Sequence, residues 1–224
     1  MNIAFIPVRG GSKSIPLKNI KLLNGKPLVF WTAKAAQESK YIDKVIIATD
    51  SSEIKEAVTK FGFSKLEVYD RKPENAQDTS STESVMLEYI EKAKLNPDDR
   101  FVLIQATSPL LKSIYIDEMF EALNNSDADS IFSAVREKQF HWIETVDGVK
   151  PINYDYKNRP RRQDFQGLLA ENGACYINIV KNVIADKCRL SGKILAYELP
   201  AETAYEIDEV SDWLIVENLM KAKN

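Results

Sequence analysis

Residues 44–61 have the sequence Lys-Val-Ile-Ile-Ala-Thr-Asp-Ser-Ser-Glu-Ile-Lys-Glu-Ala-Val-Thr-Lys-Phe. Its first part, Lys44–Ala48, is a nearly continuous apolar run, which predicts a strand that is buried on both faces. Ile54, Val58 and Phe61 then recur at spacings of four and three, so they lie on one face of a predicted helix. Ser51 and Ser52 precede that helix as candidate N-caps. A strand that leads directly into an amphipathic helix is the repeating unit of an α/β fold.

The same alternation continues on both sides of this stretch. Further strands are predicted at Ile3–Pro7, Glu67–Tyr69, Phe101–Gln105, Ser130–Val135, Cys175–Asn178 and Ile194–Glu198. Further helices are predicted at Leu28–Gln37, Thr82–Ala93, Ile114–Asn124 and Val210–Lys221. The pattern predicts a three-layer α/β sandwich with a mostly parallel, mixed central sheet. Ligands of such sheets bind at the carboxyl ends of the strands, so the segments after Pro7, Ala48, Gln105 and Val135 should share one edge.

The alternation breaks between Arg136 and Gly167. This stretch contains five aromatic residues and the basic run Arg159-Pro160-Arg161-Arg162. It is too long and too aromatic for an ordinary connection. We therefore interpret residues 136–167 as an excursion from one domain of residues 1–224, which covers the active site, a partner subunit or both.

Composition limits the possible functions. The chain has 224 residues, of which 44% are hydrophobic, and a net charge of −3 with both signs interspersed. This balance argues against nucleic acid or an anionic membrane surface as a partner, although it permits a local basic pocket. No apolar stretch approaches the roughly 20 residues that span a bilayer. Two cysteines are too few for a disulfide framework, so a cytoplasmic location is expected.

The strongest local signal is the loop Arg9-Gly10-Gly11-Ser12-Lys13-Ser14-Ile15-Pro16-Leu17-Lys18-Asn19 after the first strand. The glycine pair, Gly10 and Gly11, lets backbone N–H groups approach a polyphosphate closely. Arg9, Lys13 and Lys18 add cationic charge for phosphate oxygens. A solvated basic loop is the alternative, but its place at the carboxyl end of a strand favours phosphate binding. The glycine spacing matches neither a P-loop nor a dinucleotide-binding motif.

Two further motifs supply polar side chains. Gln105 ends an apolar strand and, with the residues after it, can bind a sugar or a base, or can cap the next helix. Glu206 and Asp208 are spaced i, i+2, which in an extended segment places both carboxylates on one side. Such a pair can share Mg²⁺, whereas two acidic residues on a solvated face are the alternative.

The excursion and the segment after it supply another candidate group. Arg162 can hold a carboxylate by a bidentate contact, and Asn172 can bind hydroxyls. An exposed basic stretch beside a turn is the alternative. His141, the only histidine, lies between two aromatic residues, and no Gly-x-Ser-x-Gly motif accompanies it, so covalent catalysis by a serine or a cysteine is not expected.

Taken in order, these pieces resemble the CMP-N-acylneuraminate synthetase (acylneuraminate cytidylyltransferase) family, and the animal-type branch in particular. The resemblance runs nearly from end to end and is carried by the motifs Ile6–Asn19, Leu103–Leu110, Phe132–Arg136, Gln139–Trp142, Arg159–Asp164 and Glu171–Gly173. It implies a fold like that of nucleotide-diphospho-sugar transferases. It also implies a dimer in which residues 136–162 reach the neighbouring subunit's site.

The resemblance also implies roles for individual residues. The triphosphate and cytidine of CTP would be held by Arg9, Ser12, Lys13, Lys18 and Asn19, with Ser81 or Thr82 near the ribose or base. The acidic nine-carbon sugar would be held by Gln105, Arg162 and Tyr176. Magnesium would be held by Glu206 and Asp208.

Three positions depart from the family pattern. Glu206 stands where aspartate is frequent, Ala106 where proline is usual, and Leu111 where arginine often follows. We expect transfer of CMP from CTP to a sialic acid with release of pyrophosphate, in which Arg9, Lys13 and Lys18 stabilise the developing charge. The alternatives are the same reaction on deaminoneuraminate, legionaminate or pseudaminate, or a nucleotide-binding module without catalysis.

Overall fold

The computed structural model describes residues 1–11, 14–77 and 79–222. Its strands are β1 (Asn2–Pro7), β2 (Leu22–Leu23), β3 (Lys26–Pro27), β4 (Lys44–Thr49), β5 (Leu66–Asp70), β6 (Arg100–Ile104), β7 (Ser130–Glu137), β8 (Trp142–Thr145), β9 (Gly148–Pro151), β10 (Leu168–Ile179) and β11 (Ile194–Glu198). Its α-helices are α1 (Leu28–Glu38), α2 (Ser52–Thr59), α3 (Thr82–Ala93), α4 (Ser113–Asn124), α5 (Val180–Asp186) and α6 (Val210–Lys221).

Seven strands form the central sheet in the order β11-β7-β10-β6-β1-β4-β5. β10 is antiparallel to both of its neighbours, and the other pairs are parallel. The carboxyl ends of β1, β4, β6 and β7 therefore lie at the same edge, as the sequence predicted. The mixed, mostly parallel sheet is confirmed.

Alternate residues of each inner strand enter different cores. In β1, Ala4 and Ile6 pack in the core that contains residues of α1, α2 and α4. Ile3 and Phe5 pack on the opposite face, in the core that contains residues of α3 and α5. This burial on both faces is the reason for the continuous apolar runs, and it confirms the three-layer sandwich.

The sequence pattern missed the short elements. α5 has seven residues and follows β10 directly, so its apolar residues could not be separated from the strand. β10 itself is much longer than predicted, because its first half continues along β7 beyond a register shift between Glu171 and Tyr176. This irregular stretch places Asn172 and Gly173 at the same edge of the sheet as the carboxyl ends of the parallel strands.

Within residues 136–167, β8 and β9 form a separate two-stranded sheet. The ring of Phe140 packs against Tyr154 and Phe165, with centroid distances of 4.2 and 4.9 Å. Trp142 and Tyr156, in contrast, remain about half exposed. Among the described residues, none of the helices combines the length and the apolar character that a membrane crossing requires.

Candidate active site

A cavity of about 530 Å³ opens at the carboxyl edge of the sheet. Four separate segments line it: the loop after β1, the segment between β5 and α3, the turn after β6, and the segment before α6. It brings together seven of the residues that the sequence predicted, namely Arg9, Lys18, Asn19, Ser81, Thr82, Gln105 and Asp208. Because these residues come from distant parts of the chain, their convergence is the main support for a functional site here.

The first loop is held against the turn between β4 and α2. The Gly10 N–H donates to the Asp50 carboxylate at 3.0 Å. A Cβ on Gly10 would lie 2.9 Å from Cβ of Ser51, whereas a Cβ on Gly11 would meet nothing within 4 Å. Gly10 is therefore required by a close approach of the two loops, and neither glycine lines the cavity. Ser12 and Lys13 lie outside the described residues.

Asn19 and Lys18 tie this loop to the rest of the site. The buried side chain of Asn19 donates from Nδ2 to the carbonyl of Arg9 at 3.0 Å. Lys18 Nζ donates to the carbonyl of Ile207 at 2.8 Å and to Oδ1 of Asp208 at 3.1 Å. Its side chain is only 11% exposed, whereas that of Asp208 is 69% exposed, so the ion pair lies at the boundary between the protein and solvent.

The two predicted metal ligands lie in that acidic segment. Backbone N–H of Ile207 donates to the carbonyl of Thr107 at 2.8 Å, which attaches the segment to the turn after β6. Asp208 lines the cavity, and Glu206 lies against Gly173. Burial, and then the charge of Asp208, raise the pKa of Glu206 to about 7, whereas Lys18 opposes the shift. Burial beside a second carboxylate thus disfavours the ionised form of Glu206.

The donor set fits magnesium. Mg²⁺ is usually held by one or two carboxylates, with phosphate and water completing its coordination. Among the described residues, no group of three or more His, Cys, Asp or Glu side chains is arranged to hold a metal alone. Glu206 and Asp208, beside a cavity with cationic walls, are the pair that could hold the ion together with a bound polyphosphate.

Arg71 is a cavity residue that the sequence reasoning missed. Its Nη2 donates to the carbonyl of Asn75, and its Nε is buried without a hydrogen-bond partner among the described residues. Burial lowers the pKa of Arg71, although Asp50 and Glu88 act in the opposite direction. The strand before it was predicted, so the rule that placed the site after the other strands would have pointed here as well.

The turn after β6 contains two more buried polar groups. The hydroxyls of Thr107 and Ser108 are buried without a hydrogen-bond partner among the described residues, and Thr107 lines the cavity. Such groups are costly to bury unless something pairs with them. Gln77 and Ser80 complete the wall opposite this turn, and they too were missed by the sequence reasoning.

Asn172, a predicted sugar contact, does not line the cavity. The amide of Asn172 is buried: its oxygen accepts from Ser133 Oγ at 2.6 Å, and its nitrogen donates to the carbonyl and the hydroxyl of Thr203 at 3.2 and 3.0 Å. All of these groups are used inside the protein. In this structure the side chain of Asn172 therefore supports the segment that leads to Glu206.

Tyr176 is also buried and is part of a charged network beside α3. Its hydroxyl donates to Glu171, and the guanidinium of Arg189 lies 5.0 Å from the centroid of its ring. Arg189 in turn donates from Nε to the Glu83 carboxylate at 2.6 Å. Tyr176 packs in the core that also contains Val85, a residue of the cavity wall, so this network lies behind that wall.

Arg162 lies in a different concavity. With Lys138, Gln139, Phe140, Arg159 and Pro160 it lines a space of about 500 Å³ in the 136–167 excursion. The guanidinium of Arg159 lies 4.5 Å from the centroid of the Phe140 ring. Within one chain, therefore, Arg162 does not join the residues of the main cavity.

Comparison with known families identifies the family of the chain. The model of the cytidylyltransferase family matches residues 3–165, which is well over half of the chain and includes the first loop, Arg71 and Gln105. The chain belongs to the cytidylyltransferase family.

Curated relatives extend the match to most of this cytidylyltransferase chain. It is 40% identical over 219 residues to N-acylneuraminate cytidylyltransferase of Oncorhynchus mykiss and 38% identical over 218 residues to N-acylneuraminate cytidylyltransferase A of Danio rerio. Identity to N-acylneuraminate cytidylyltransferase of Streptococcus agalactiae is 32% over 219 residues. Each match covers 96% of the chain but only 49 to 52% of the relative, so the chain spans about half the length of the curated relatives it matches.

Solved structures agree on the cytidylyltransferase fold. The chain superposes on CMP:2-keto-3-deoxy-manno-octonic acid synthetase complexed with CTP with a TM-score of 0.72 and 17% identity, covering 100% of the chain and 99% of that structure. It superposes on 4-diphosphocytidyl-2C-methyl-D-erythritol synthase with a TM-score of 0.70 and 13% identity, covering 98% of each chain. At these identities the similarity is one of fold.

Proposed function

We propose that the chain transfers CMP from CTP to the anomeric hydroxyl of a sialic acid, N-acetylneuraminate, and releases pyrophosphate. The observation that carries this proposal is the main cavity. Arg9, Lys18 and Arg71 line it together with the polar turn after β6 and Asp208. Glu206 lies next to the cavity, against Gly173. Cationic side chains beside a pair of carboxylates suit the binding of a nucleoside triphosphate together with a divalent metal ion. The names of the curated relatives support the choice of sugar.

In the proposed reaction the sugar hydroxyl oxygen forms a bond to the α-phosphorus of CTP. The bond between that phosphorus and the bridging oxygen of the β-phosphate breaks, and pyrophosphate leaves with that electron pair. The hydroxyl proton goes to solvent or to a nearby base. Arg9, Lys13 and Lys18 would hold the phosphates and offset the charge that develops on them, since such reactions depend mainly on positioning and electrostatic stabilisation.

We further propose that Glu206 and Asp208 hold Mg²⁺ when CTP is bound. The ion would neutralise phosphate charge. Burial, and then the charge of Asp208, raise the pKa of Glu206, and a bound Mg²⁺ would favour the ionised form of this carboxylate. Ser81 and Thr82 would lie near the ribose or base, and Gln105 would orient the attacking hydroxyl.

A homodimer is part of the proposal. Arg162 is separated from the main cavity of its own chain, and exposed apolar side chains, among them Trp142 and Val149, cover the small sheet of the excursion. Residues 136–167 would pair with a second copy of the otherwise single domain of residues 1–224, and Arg162 would bind the sugar carboxylate in the partner's site. The free thiols of Cys175 and Cys188 support a reducing, cytoplasmic environment.

The test is pyrophosphate release from CTP and Mg²⁺ with N-acetylneuraminate, deaminoneuraminate, legionaminate, pseudaminate or an octulosonate added separately. Release with N-acetylneuraminate, absent without sugar or with ATP, is expected. Lys13→Ala and Lys18→Met should each lower turnover by about 10²–10³, as for other well-placed charged groups. Lys44→Met, which removes an exposed ion pair with Glu67, is the control. A folded chain that releases no pyrophosphate with any sugar would overturn the proposal.

A further inference from the structure

Glu88 is a buried carboxylate outside the cavity. It lies in α3, it is only 6% exposed, and most of the buried neighbours in that helix are apolar. A buried carboxylate is costly unless hydrogen bonds compensate its charge. Glu88 accepts three: from the hydroxyl of Tyr69 at 2.6 Å, from the backbone N–H of Lys72 at 2.8 Å and from Nδ2 of Asn75 at 2.5 Å.

Two of these donors belong to the segment that carries Arg71 into the cavity. Arg71 donates from Nη2 to the carbonyl of Asn75, whose side chain is bound to Glu88. Asn75 therefore connects the two residues: its side chain binds Glu88, and its backbone carbonyl binds the guanidinium of Arg71. Residues 71–77 form this segment, and the 3₁₀ turn Pro73–Asn75 is the regular secondary structure within it.

The charge of Glu88 is retained in the folded protein. Burial by itself raises the pKa of Glu88, but the hydrogen bonds from Tyr69, Asn75 and Lys72 outweigh it, so its pKa lies below the ordinary value. Its negative charge also favours the protonated form of Arg71. Glu88 thus acts on Arg71 in two ways, through the position of the segment and through the electrostatic field.

We propose that Glu88 is a positioning residue of the nucleotide site. By binding Lys72 and Asn75 it fixes the segment of residues 71–77 against α3, and this fixes Arg71 in the wall of the cavity. The inference rests on the proposed use of CTP. A carboxylate that merely stabilised the fold would be expected to bind elements of the core, whereas two of its three partners here belong to the segment that contributes Arg71 and Gln77 to the cavity wall.

The experiment compares three variants of the full chain. Glu88→Gln keeps the size of the side chain but removes its charge and one of its acceptors. Asn75→Ala removes the side-chain hydrogen bond to Glu88 but keeps the backbone carbonyl that binds Arg71, and Asn75 does not itself line the cavity. Tyr69→Phe removes a hydrogen bond to the same carboxylate from strand β5 rather than from the segment of residues 71–77, so it is the matched control. Thermal unfolding, calorimetric binding of CTP and steady-state kinetics are measured for each.

Glu88→Gln and Asn75→Ala should raise both the Kd and the KM for CTP about tenfold, the effect of losing one good hydrogen bond to a charged group. The kcat at saturating CTP and the KM for the sugar should stay close to wild type. Tyr69→Phe should lower the Tm without changing the KM for CTP. If the wild-type chain binds CTP and the variants Glu88→Gln and Asn75→Ala bind it equally well, the positioning role is overturned. If the KM for CTP rises as much in Tyr69→Phe, the effect is one of general stability and the role is likewise overturned. Absence of CTP binding by the wild type would overturn the proposed function as well.

Discussion

The carboxylate of Glu206 occupies the space that a side chain on Gly173 would fill. Gly173 has a φ of 68°, and a Cβ built on it would collide with Oε1 of Glu206 and lie 3.0 Å from Nε2 of Gln105. A glycine in the irregular part of β10 therefore makes room for one proposed metal ligand and for the residue proposed to orient the sugar.

Gly173→Ala should displace Glu206 and so impair metal use. We expect a higher Mg²⁺ concentration for half-maximal pyrophosphate release and a lower Tm. Gly25→Ala is the control: Gly25 has a φ of 78°, but its Cβ would meet nothing within 4 Å. Both variants carry the roughly 1–2 kcal/mol cost of a left-handed conformation. An equal Mg²⁺ requirement in the two variants would contradict the contact with Glu206.

Arg71→Lys should weaken CTP binding although it keeps the positive charge. Lysine lacks the planar fork of guanidinium and cannot contact a ligand and the Asn75 carbonyl in the same way. We expect the KM for CTP to rise by about tenfold or more. The matched control is Arg100→Lys, because Arg100 is also half-buried and binds Asn124 at the opposite edge of the sheet. If both variants change the KM alike, Arg71 has no special part in the site.

Mixed dimers test whether Arg162 acts in the partner's site. Lys18→Met and Arg162→Ala should each be nearly inactive alone. If Arg162 acts across the dimer interface, a mixed dimer has one site with both defects and one intact site, so co-refolding should restore activity to about a quarter of wild type. If Arg162 acts within its own chain, every site keeps one defect and the mixture stays inactive. The readout is pyrophosphate release after co-refolding of equal amounts.

The Glu83–Arg189 pair should make stability depend on pH. Burial raises the pKa of Glu83, but the hydrogen bond from Arg189 outweighs this effect, so the pKa in the folded protein lies below the ordinary value of 4.5. The contribution is therefore fully present above about pH 4.5 and is lost as the pH falls through the lower, folded value. Arg189→Met should destabilise the protein by about 1–3 kcal/mol at pH 7.

The destabilisation by Arg189→Met should shrink as the pH falls through the lowered pKa of Glu83, because the carboxylate loses its charge there. Chemical denaturation at several pH values measures it. Lys60→Met, which removes an exposed pair with Glu56, should change stability little at any of these pH values. A destabilisation by Arg189→Met that is the same at pH 7 and at pH 3 would show that packing on Tyr176, not the ion pair, is responsible.

Much of the sheet was predictable because strands that are buried on both faces have continuous apolar sequences. Val45–Ala48 and Phe101–Ile104 are continuous apolar runs because both faces of each strand are buried, and each was correctly predicted as a strand. The same physics places Arg9, Gln105 and Asp208 around one cavity, since parallel strands deliver their carboxyl ends to one edge. What escaped prediction was short or irregular, such as α5 and the two-stranded β8–β9 sheet, where a few residues carry no clear period.

The sequence by itself determined the layered α/β fold and most of one wall of the site, because periodicity and strand order follow from local patterns of apolar residues. Only the tertiary structure decided which polar side chains face the cavity. Both Asn172 and Arg71 are polar residues in the sequence. In the structure the amide of Asn172 makes hydrogen bonds to Ser133 and Thr203. Nε of Arg71, a residue of the cavity wall, is instead buried without a hydrogen-bond partner among the described residues. That difference depends on partners more than ten residues away in the chain, such as Glu88 for the segment of Arg71. Contacts of this kind leave no signal in local spacing.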